Sequence, residues 1–412
     1  MKLLFLNKFY YLQGGSERVF FEEMALLKGK GHEVIPFSRK NLSNVSTEYS
    51  EYFVDELRIQ NKVSFAALRN IKEIIYSNSA KRGLKILMQG RSFDIAHGHN
   101  IYGLLTTSVL DELKNCSIPT VLTLHDYKII CPNYQLFCNG GICEVCKPNN
   151  YYHTVLNNCV HGNIFYSIIY ALENYFNFIT GKYIKNVTKF IAVSKFIKAK
   201  FIEFGFPEQQ IVHIPNFINT RTISQDHIQG DYVLYFGRLS KEKGIKTLIN
   251  AFKNMKSDSL RLVIVGTGPL QDDLIQYSAQ HGMKNIEFKG YLTGSKLEEV
   301  IQGSKCVVVP SEWYENCPMS VLEALAYGKA VIGADIGGIP ELIDIESDGL
   351  IFKSGDAEDL AEKIETLMSC TNKKITEMGK YGRNKVETHY NAEKHYSELI
   401  NLYQRLIDDN EK

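Results

Sequence analysis

Val307-Val308-Val309-Pro310-Ser311-Glu312-Trp313-Tyr314-Glu315-Asn316-Cys317-Pro318-Met319-Ser320-Val321-Leu322-Glu323 is the stretch whose reading decides the fold. Its valines run without polar alternation, as in a parallel strand buried on both faces. A polar loop follows, and then a helix whose first turn is expected to contain Pro318, where a missing N–H costs least. Open α/β sheets bind ligands beyond the carboxyl ends of such strands. The unpaired N–H groups of Met319, Ser320 and Val321 suit a phosphate. Glu315 and Glu323, eight residues apart, flank that anion site. Carboxylates so near a diphosphate would repel it, so they suit sugar hydroxyls. As an arbitrary pair they would be an exposed loop residue and a solvated helical one.

The same alternation extends in both directions from this stretch. Short apolar runs at Leu3 to Asn7, Glu33 to Ser38, Phe93 to His97, Thr120 to Leu124 and Lys189 to Val193 alternate with helix-period segments such as Ser16 to Lys28. The alternation restarts at Tyr232 to Phe236 and continues through Arg261 to Val265, Ile286 to Lys289, Cys306 to Pro310 and Ala330 to Gly333. This is the pattern of parallel sheets covered by helices, an α/β fold. A chain of 412 residues exceeds what one core of about 250 to 300 residues serves. Two doubly wound, Rossmann-like domains are therefore expected, residues 1–212 and 213–390. The join lies near His213-Ile214-Pro215-Asn216. A last segment, 391–412, carries Tyr396, Leu399, Ile400, Tyr403, Leu406 and Ile407 at helical spacing.

Composition excludes several classes. With 44% hydrophobic and 23% charged residues, the chain is neither disordered nor collagenous. A net charge of +1 argues against a nucleic-acid partner. The halves differ, however: residues 1–212 hold 24 basic and 17 acidic side chains, and residues 213–412 hold 23 and 29. The apolar run at Leu3 to Leu6 is too short for a signal peptide, and no stretch reaches the length of a membrane span. A cytoplasmic location, with thiols or metal ligands rather than disulfides, is the expectation.

Further motifs sit at strand ends. Phe236-Gly237-Arg238 and Lys243-Gly244 place two cations where they would neutralise a diphosphate leaving group, or else form a solvated turn. Gly266-Thr267-Gly268 is a weak dinucleotide motif, because Gln271 stands where a third glycine belongs; its glycines would make room for a base or ribose. Gly14-Gly15 leads into the first helix with Ser16 as a natural cap, and serves either a tight turn or close approach to a ligand. His125 in Leu124-His125-Asp126-Tyr127 either bonds a sugar or is simply accommodated.

These segments in this order, above all Glu315 with seven residues to Glu323, resemble glycosyltransferase family 4. The likeness covers essentially the whole chain. It implies a GT-B fold, two Rossmann-like domains facing a cleft with a C-terminal helix crossing back to the first, and retaining, metal-independent transfer from a nucleotide-diphosphate sugar. It also implies roles. Glu315 would contact the donor sugar's hydroxyls, Glu323 the ribose, and Arg238 and Lys243 the diphosphate, with the helix start after Pro318 assisting. His125 would sit beside the transferred sugar and Gly14 and Gly15 against the donor. Asn216 matches the linker turn. The remaining donor-binding positions would be Gly237, Gly266, Gly268, Asn316, Cys317, Met319, Ser320 and Val321. No cofactor is needed for catalysis, and no Asp-x-Asp triplet marks a strand end. The acceptor would be a glycan or lipid-linked molecule of bacterial surface polysaccharide assembly.

The region 131–161 lacks clean periodicity and holds five of the nine cysteines. Cys131, Cys143, Cys146 and Cys159 suit a structural Zn²⁺ stapling an irregular insertion without a core of its own, with Cys138 and His161 in reserve; free thiols are the alternative. A similar insertion occurs in a polysaccharide-assembly subgroup of the family. Residues 162–205 interleave lysines with aromatics, which suits peripheral contact with an anionic membrane or a packed helix with solvated lysines. A silent partner subunit, a GT-B epimerase and a glycogen-synthase-like enzyme are the rival readings. A nicotinamide dehydrogenase is disfavoured, since neither half has a full glycine fingerprint.

Overall fold

The computed structural model describes residues 1–55, 71–220, 223, 230–255 and 259–411. Lys412, the end of the segment expected to cross back, lies outside them. The chain divides into two compact units, one of Met1–Asn139, Cys143–Pro215 and His395–Lys412, the other of Gly140–Ile142 and Asn216–Lys394.

The first unit holds strands β1 (Lys2–Leu6), β2 (Glu33–Phe37), β3 (Ile95–Gly98), β4 (Thr120–Leu124), β5 (Phe137–Cys138), β7 (Lys189–Ala192) and β8 (Ile211–His213), while β6 (Gly141–Ile142) falls in the short segment grouped with the second unit. The main sheet runs β2-β1-β3-β4-β7-β8, and every pairing in it is parallel. His213 pairs with Ala192 at the sheet edge, so the division falls after Pro215 rather than after residue 212. The second unit holds β9 (Tyr232–Phe236), β10 (Arg261–Val265), β11 (Ile286–Gly290), β12 (Ser304–Val309), β13 (Ala330–Ala334) and β14 (Gly349–Phe352) in the order β11-β10-β9-β12-β13-β14. The order reverses between β1 and β3 in the first sheet and between β9 and β12 in the second. At such switch points the loops leaving adjacent strands diverge and open a crevice for ligand.

The first unit's core joins Leu3, Phe5, Phe20, Leu27, Ile95 and Val121 to Leu399, Leu402, Tyr403 and Leu406. The last four lie on the terminal helix Ala392–Asn410 at i, i+3, i+4 and i+7, one face of the helix. Leu399 and Tyr403 are fully buried, each contributing about 1.5 to 3 kcal/mol through loss of apolar surface to water. The insertion has more structure than its sequence suggests. It forms the helix Tyr152–Leu156 and a small core of Cys146, Tyr151 and Ala171, flanked by Val155 and Tyr175. Ala171 and Tyr175 belong to the helix Ile164–Thr180, so the insertion borrows its core from the next element.

Candidate active site

The loops after β9 and β12, on either side of the second switch point, bring together the residues on which the sequence reading rests. Glu315 is 6% exposed and Glu323 9% exposed, so neither is a solvated surface residue. Glu315 Oε1 accepts from Lys243 Nζ at 2.5 Å and from Ser311 Oγ at 2.7 Å. Lys243 Nζ also lies 5.0 Å from the centre of the Trp313 ring. Burial pushes the Glu315 carboxyl up, but the charge and hydrogen bond of Lys243, with Ser311, outweigh it and hold the group below its usual value. The residues expected to hold sugar and diphosphate separately thus form one ion pair. Arg238 is exposed and makes no ion pair among the described residues.

Pro318 precedes the helix Met319–Ala326 instead of lying within its first turn. It occupies the N-cap with φ −66° and offers no side-chain cap. A proline's fixed φ suits that boundary, and the first-turn N–H groups of Met319 and Ser320 are left without a capping side chain. Asn216 Nδ2 donates to Cys317 O at 3.1 Å, tying the linker turn to the same loop. Burial raises the Cys317 thiol to about 12, so it is a neutral packing group there. Asn316 is buried beside it.

Several glycines prove to be matters of loop packing. A Cβ on Gly266 would sit 1.8 Å from Gly237 O, and one on Gly268 2.3 Å from Leu239 O; the room they make is filled by the β9 loop itself. Gly244, at φ +67°, would meet Pro310 O at 1.8 Å. Gly337 was missed by sequence reasoning. At φ +62° it lies against the backbone of Glu315, and its neighbour Gly338 donates N–H to Glu315 O at 2.6 Å. The Gly337-Gly338-Ile339-Pro340 run was its signal.

In the first unit the helix Gly15–Gly29 starts one residue earlier than expected. Gly14 is its N-cap, and no side chain caps it. Ser16 lies inside the helix, donating to Glu17 Oε2 and accepting from Asn100 Nδ2. Neither Gly14 nor Gly15 has a positive φ, and a Cβ on Gly15 would meet nothing within 4 Å. Neither backbone nor packing requires glycine at Gly15, which removes the tight-turn explanation there.

His125 follows β4, and its Nε2 lies 2.8 Å from His99 Nδ1. Burial, reinforced by His99, lowers the His125 pKa to about 3, against the opposing pull of Glu23. Around it lie groups the sequence reading passed over. Lys8 Nζ stands 3.9 Å from the centre of the Tyr102 ring, and Tyr102 OH donates to Asp126. Burial lowers the Lys8 pKa and raises that of Asp126. Behind His125, Glu23, His97 and His99 are, among the described residues, the one group bringing three metal-ligating atoms within 4.8 Å of one another. The His97-Gly98-His99 spacing was the available signal, since alternate strand residues share a face.

The cysteines named as zinc ligands do not converge to that degree. Cys159 has Cys138 as its near neighbour, with sulfurs 3.2 Å apart. Cys131 donates to Asn133 Oδ1 at 2.9 Å, and burial pushes its thiol to about 12.

The fold is that of the GT-B glycosyltransferases. The sequence matches the model described as "Glycosyltransferase Family 4" over residues 13–222 and that described as "Glycosyl transferases group 1" over 221–385; the chain belongs to glycosyltransferase family 4. It is 26% identical over 363 residues to an uncharacterized glycosyltransferase of Methanocaldococcus jannaschii, covering 87% of this chain and 88% of that one. A putative colanic acid biosynthesis glycosyltransferase of Escherichia coli K12, WcaL, is 25% identical over 42% of this chain and 45% of its own. The crystal structure of HepE from Anabaena in complex with UDP and glucose shares the fold, with a TM-score of 0.71 at 16% identity, covering 98% of this chain and all of that one.

Proposed function

We propose that this enzyme transfers a hexose, with retention at the anomeric carbon, from a nucleotide-diphosphate sugar to a glycan or lipid-linked acceptor in bacterial surface polysaccharide assembly. One observation carries the reading. At the switch point of the second sheet, the loop after β9 carries an exposed Arg238 and a partly exposed Lys243 whose ammonium pairs with the buried Glu315 of the loop after β12, and the helix after that loop starts without a capping side chain. Two cations and free N–H groups suit a diphosphate; carboxylates beside them suit hydroxyls of the sugar and ribose. Likeness to HepE, crystallised with UDP and glucose, and to a colanic acid glycosyltransferase supports donor and acceptor class.

In the reaction the bond from C1 to the β-phosphate oxygen breaks. A bond from the acceptor oxygen to C1 forms on the same face, and the acceptor's proton passes to a β-phosphate oxygen. Arg238, Lys243 and the N–H groups of Met319 and Ser320 stabilise the charge gathering on the leaving diphosphate, a task that needs no metal. Lys243 would then divide its hydrogen bonds between phosphate and Glu315, while Glu315 and Glu323 orient sugar and ribose. Gly15, whose open surroundings allow close approach, and His125 would contact the donor. Thermal-shift screening of UDP-, GDP- and dTDP-sugars tests donor binding, because a ligand of the native state alone raises the melting point. The anomeric configuration of the product tests retention. No shift with any of the three classes, or an inverted product, would defeat the reading.

Contact with a membrane has support from the helix Ile164–Thr180. Ile164, Phe165, Ile168, Leu172, Phe178 and Ile179 are exposed on it, within an arc of about 140° at 100° per residue. The lysines contribute less than their number suggests: Lys182 pairs with Asp111, Lys198 with Glu208, and Lys200 with Glu144 and Glu203. No helix among the described residues is long and apolar enough to cross a membrane. Peripheral docking through the apolar face predicts flotation with liposomes that Leu172→Asp abolishes and that salt changes little; flotation unaffected by Leu172→Asp would refute it. A structural zinc in the insertion is likewise proposed, with Cys138 joining Cys143, Cys146 and Cys159 in place of the hydrogen-bonded Cys131. Metal analysis of protein purified without chelator tests it, and five alkylatable thiols with no zinc would end the idea.

A further inference from the structure

Trp313 is the chain's single tryptophan and stands on the loop after β12, just before Glu315. The loop folds tightly there, with Glu315 N–H donating to Trp313 O at 2.9 Å. The indole is half-buried, and the Lys243 ammonium lies 5.0 Å from its ring centre, within cation–π range. Its N–H is closed off from solvent and makes no hydrogen bond of normal geometry among the described residues. A buried donor without a partner is costly, and native structures keep one for a reason. A ligand has no better access to that hydrogen than water has, so its use must be toward the protein.

The acceptor in front of it is the Glu315 carboxylate. Against burial, which pushes that group up, Lys243, Trp313 and Ser311 together hold it below its usual value. The two hydrogen bonds of normal geometry, from Lys243 Nζ at 2.5 Å and Ser311 Oγ at 2.7 Å, both fall on Oε1. A carboxylate oxygen offers about two lone-pair sites, so Oε1 is full. The indole therefore acts on the charge without a bond of its own. Among these neighbours Lys243 is the one free to move. Ser311 is anchored through its carbonyl, which accepts from Ser354 Oγ at 2.9 Å, and Gly338 N–H holds Glu315 O at 2.6 Å. Lys243 instead reaches Glu315 from the loop after β9 on a flexible stem, 24% exposed, and its ammonium suits a phosphate equally well.

We propose that Trp313 is a positioning residue that takes over Glu315 as the donor's diphosphate draws Lys243 toward itself. The indole N–H then closes its hydrogen bond to the carboxylate, which stays ionised and fixed for the sugar hydroxyls. The proposal rests on the reading of Lys243 as a diphosphate contact. It explains why a cation, an indole and a carboxylate are gathered on two loops: the ring steadies the ammonium before the donor arrives, and the N–H replaces it afterwards.

Proton–nitrogen correlation NMR of the ¹⁵N-labelled full chain tests it, because a single tryptophan gives a single indole N–H signal that needs no assignment by variants. UDP-, GDP- and dTDP-sugars are the probes, and the melting point reports in parallel whether each one binds. The donor that raises the melting point should also move the indole hydrogen downfield and slow its exchange with water, as a new hydrogen bond to a carboxylate requires. Trp313→Phe keeps a ring beside Lys243 and removes the N–H. It should lower turnover of that donor, read as released nucleoside diphosphate, about ten- to a hundredfold, the worth of one hydrogen bond to a charged group. The KM for the donor should change little. Binding that leaves the indole signal in place would overturn the proposal while the donor reading stands. So would full turnover in Trp313→Phe. The wild-type signal decides the matter even if that variant does not fold. Absence of binding by all three donor classes would overturn the proposal together with the donor reading.

Discussion

Lys243→Ala isolates the physical heart of the candidate site. It leaves the Glu315 carboxylate buried with Ser311 as its remaining named donor. At 2.5 Å and an effective dielectric near 20, the gross attraction is about 6 to 7 kcal/mol. Desolvation of Glu315 takes back much of this, and the Lys243 side chain is 24% exposed, so water screens it. Breaking fully buried pairs costs about 3 to 5 kcal/mol; for this half-sheltered one we expect about 2 to 3 kcal/mol. The pH dependence should change sign as well. In the wild type Glu315 lies below its ordinary value of 4.5, so its contribution is present above pH 4.5 and lost as pH falls through the folded pKa. In Lys243→Ala burial dominates and lifts the carboxyl above 4.5. Destabilisation then grows as pH rises, until the group ionises. Urea unfolding of the wild type, Lys243→Ala, Glu315→Gln and the double variant, at pH 5 and pH 8, gives the coupling directly. A coupling below about 0.5 kcal/mol at pH 8, or the same pH slope in both lysine backgrounds, would refute the reasoning.

Gly244→Ala should cost about 2 to 4 kcal/mol, from left-handed backbone strain plus displacement of the Pro310 carbonyl; a melting point within 2 °C of the wild type would contradict the packing. Gly15→Ala should leave stability unchanged or raise it by up to about 1 kcal/mol while slowing transfer, and full activity would show that nothing approaches that backbone. Leu399→Ala should destabilise by about 2 to 5 kcal/mol, measured by denaturant midpoint, if the terminal helix is part of the first core. Acid should unfold the chain steeply. His97 and His125 are buried neutral, with folded pKa values below 6.5 (about 3 for His125). As pH falls below 6.5 the unfolded state takes up protons the folded state refuses. Each such histidine removes about 1.4 kcal/mol per pH unit down to its folded pKa, and Glu23 acts in the same direction below pH 4.5. Asp126, with its raised pKa, opposes them. A stability flat between pH 6 and 5 would contradict this.

Much of the architecture was legible because buried parallel strands are apolar throughout. Val307 to Val309, Leu262 to Val265 and Leu3 to Leu6 announce themselves without any tertiary information. The loop residues Arg238, Lys243 and Glu315 were legible for the same reason, since a strand end locates a site before its geometry is known. Helix starts were less so. Ser16 has the better capping chemistry, yet Gly14 takes the position because Ser16 is engaged with Asn100 and Glu17. Likewise Cys131 looked like a ligand by spacing, and its partner is Asn133.

The sequence by itself determined two Rossmann-like sheets, the strand ends that carry polar loops, and the apolar stripe of the last helix. These follow from local periodicity, which a chain carries in its residue order. Only the tertiary structure decided that Lys243 and Glu315 are one ion pair, that Gly266 and Gly268 make room for protein backbone, and that Glu23 meets His395 and His99 meets His125 through hydrogen bonds. Those partners lie 26 to 372 residues apart. No pattern of spacing encodes such contacts; burial in a shared core makes a lone charge costly and so compels its distant partner to meet it.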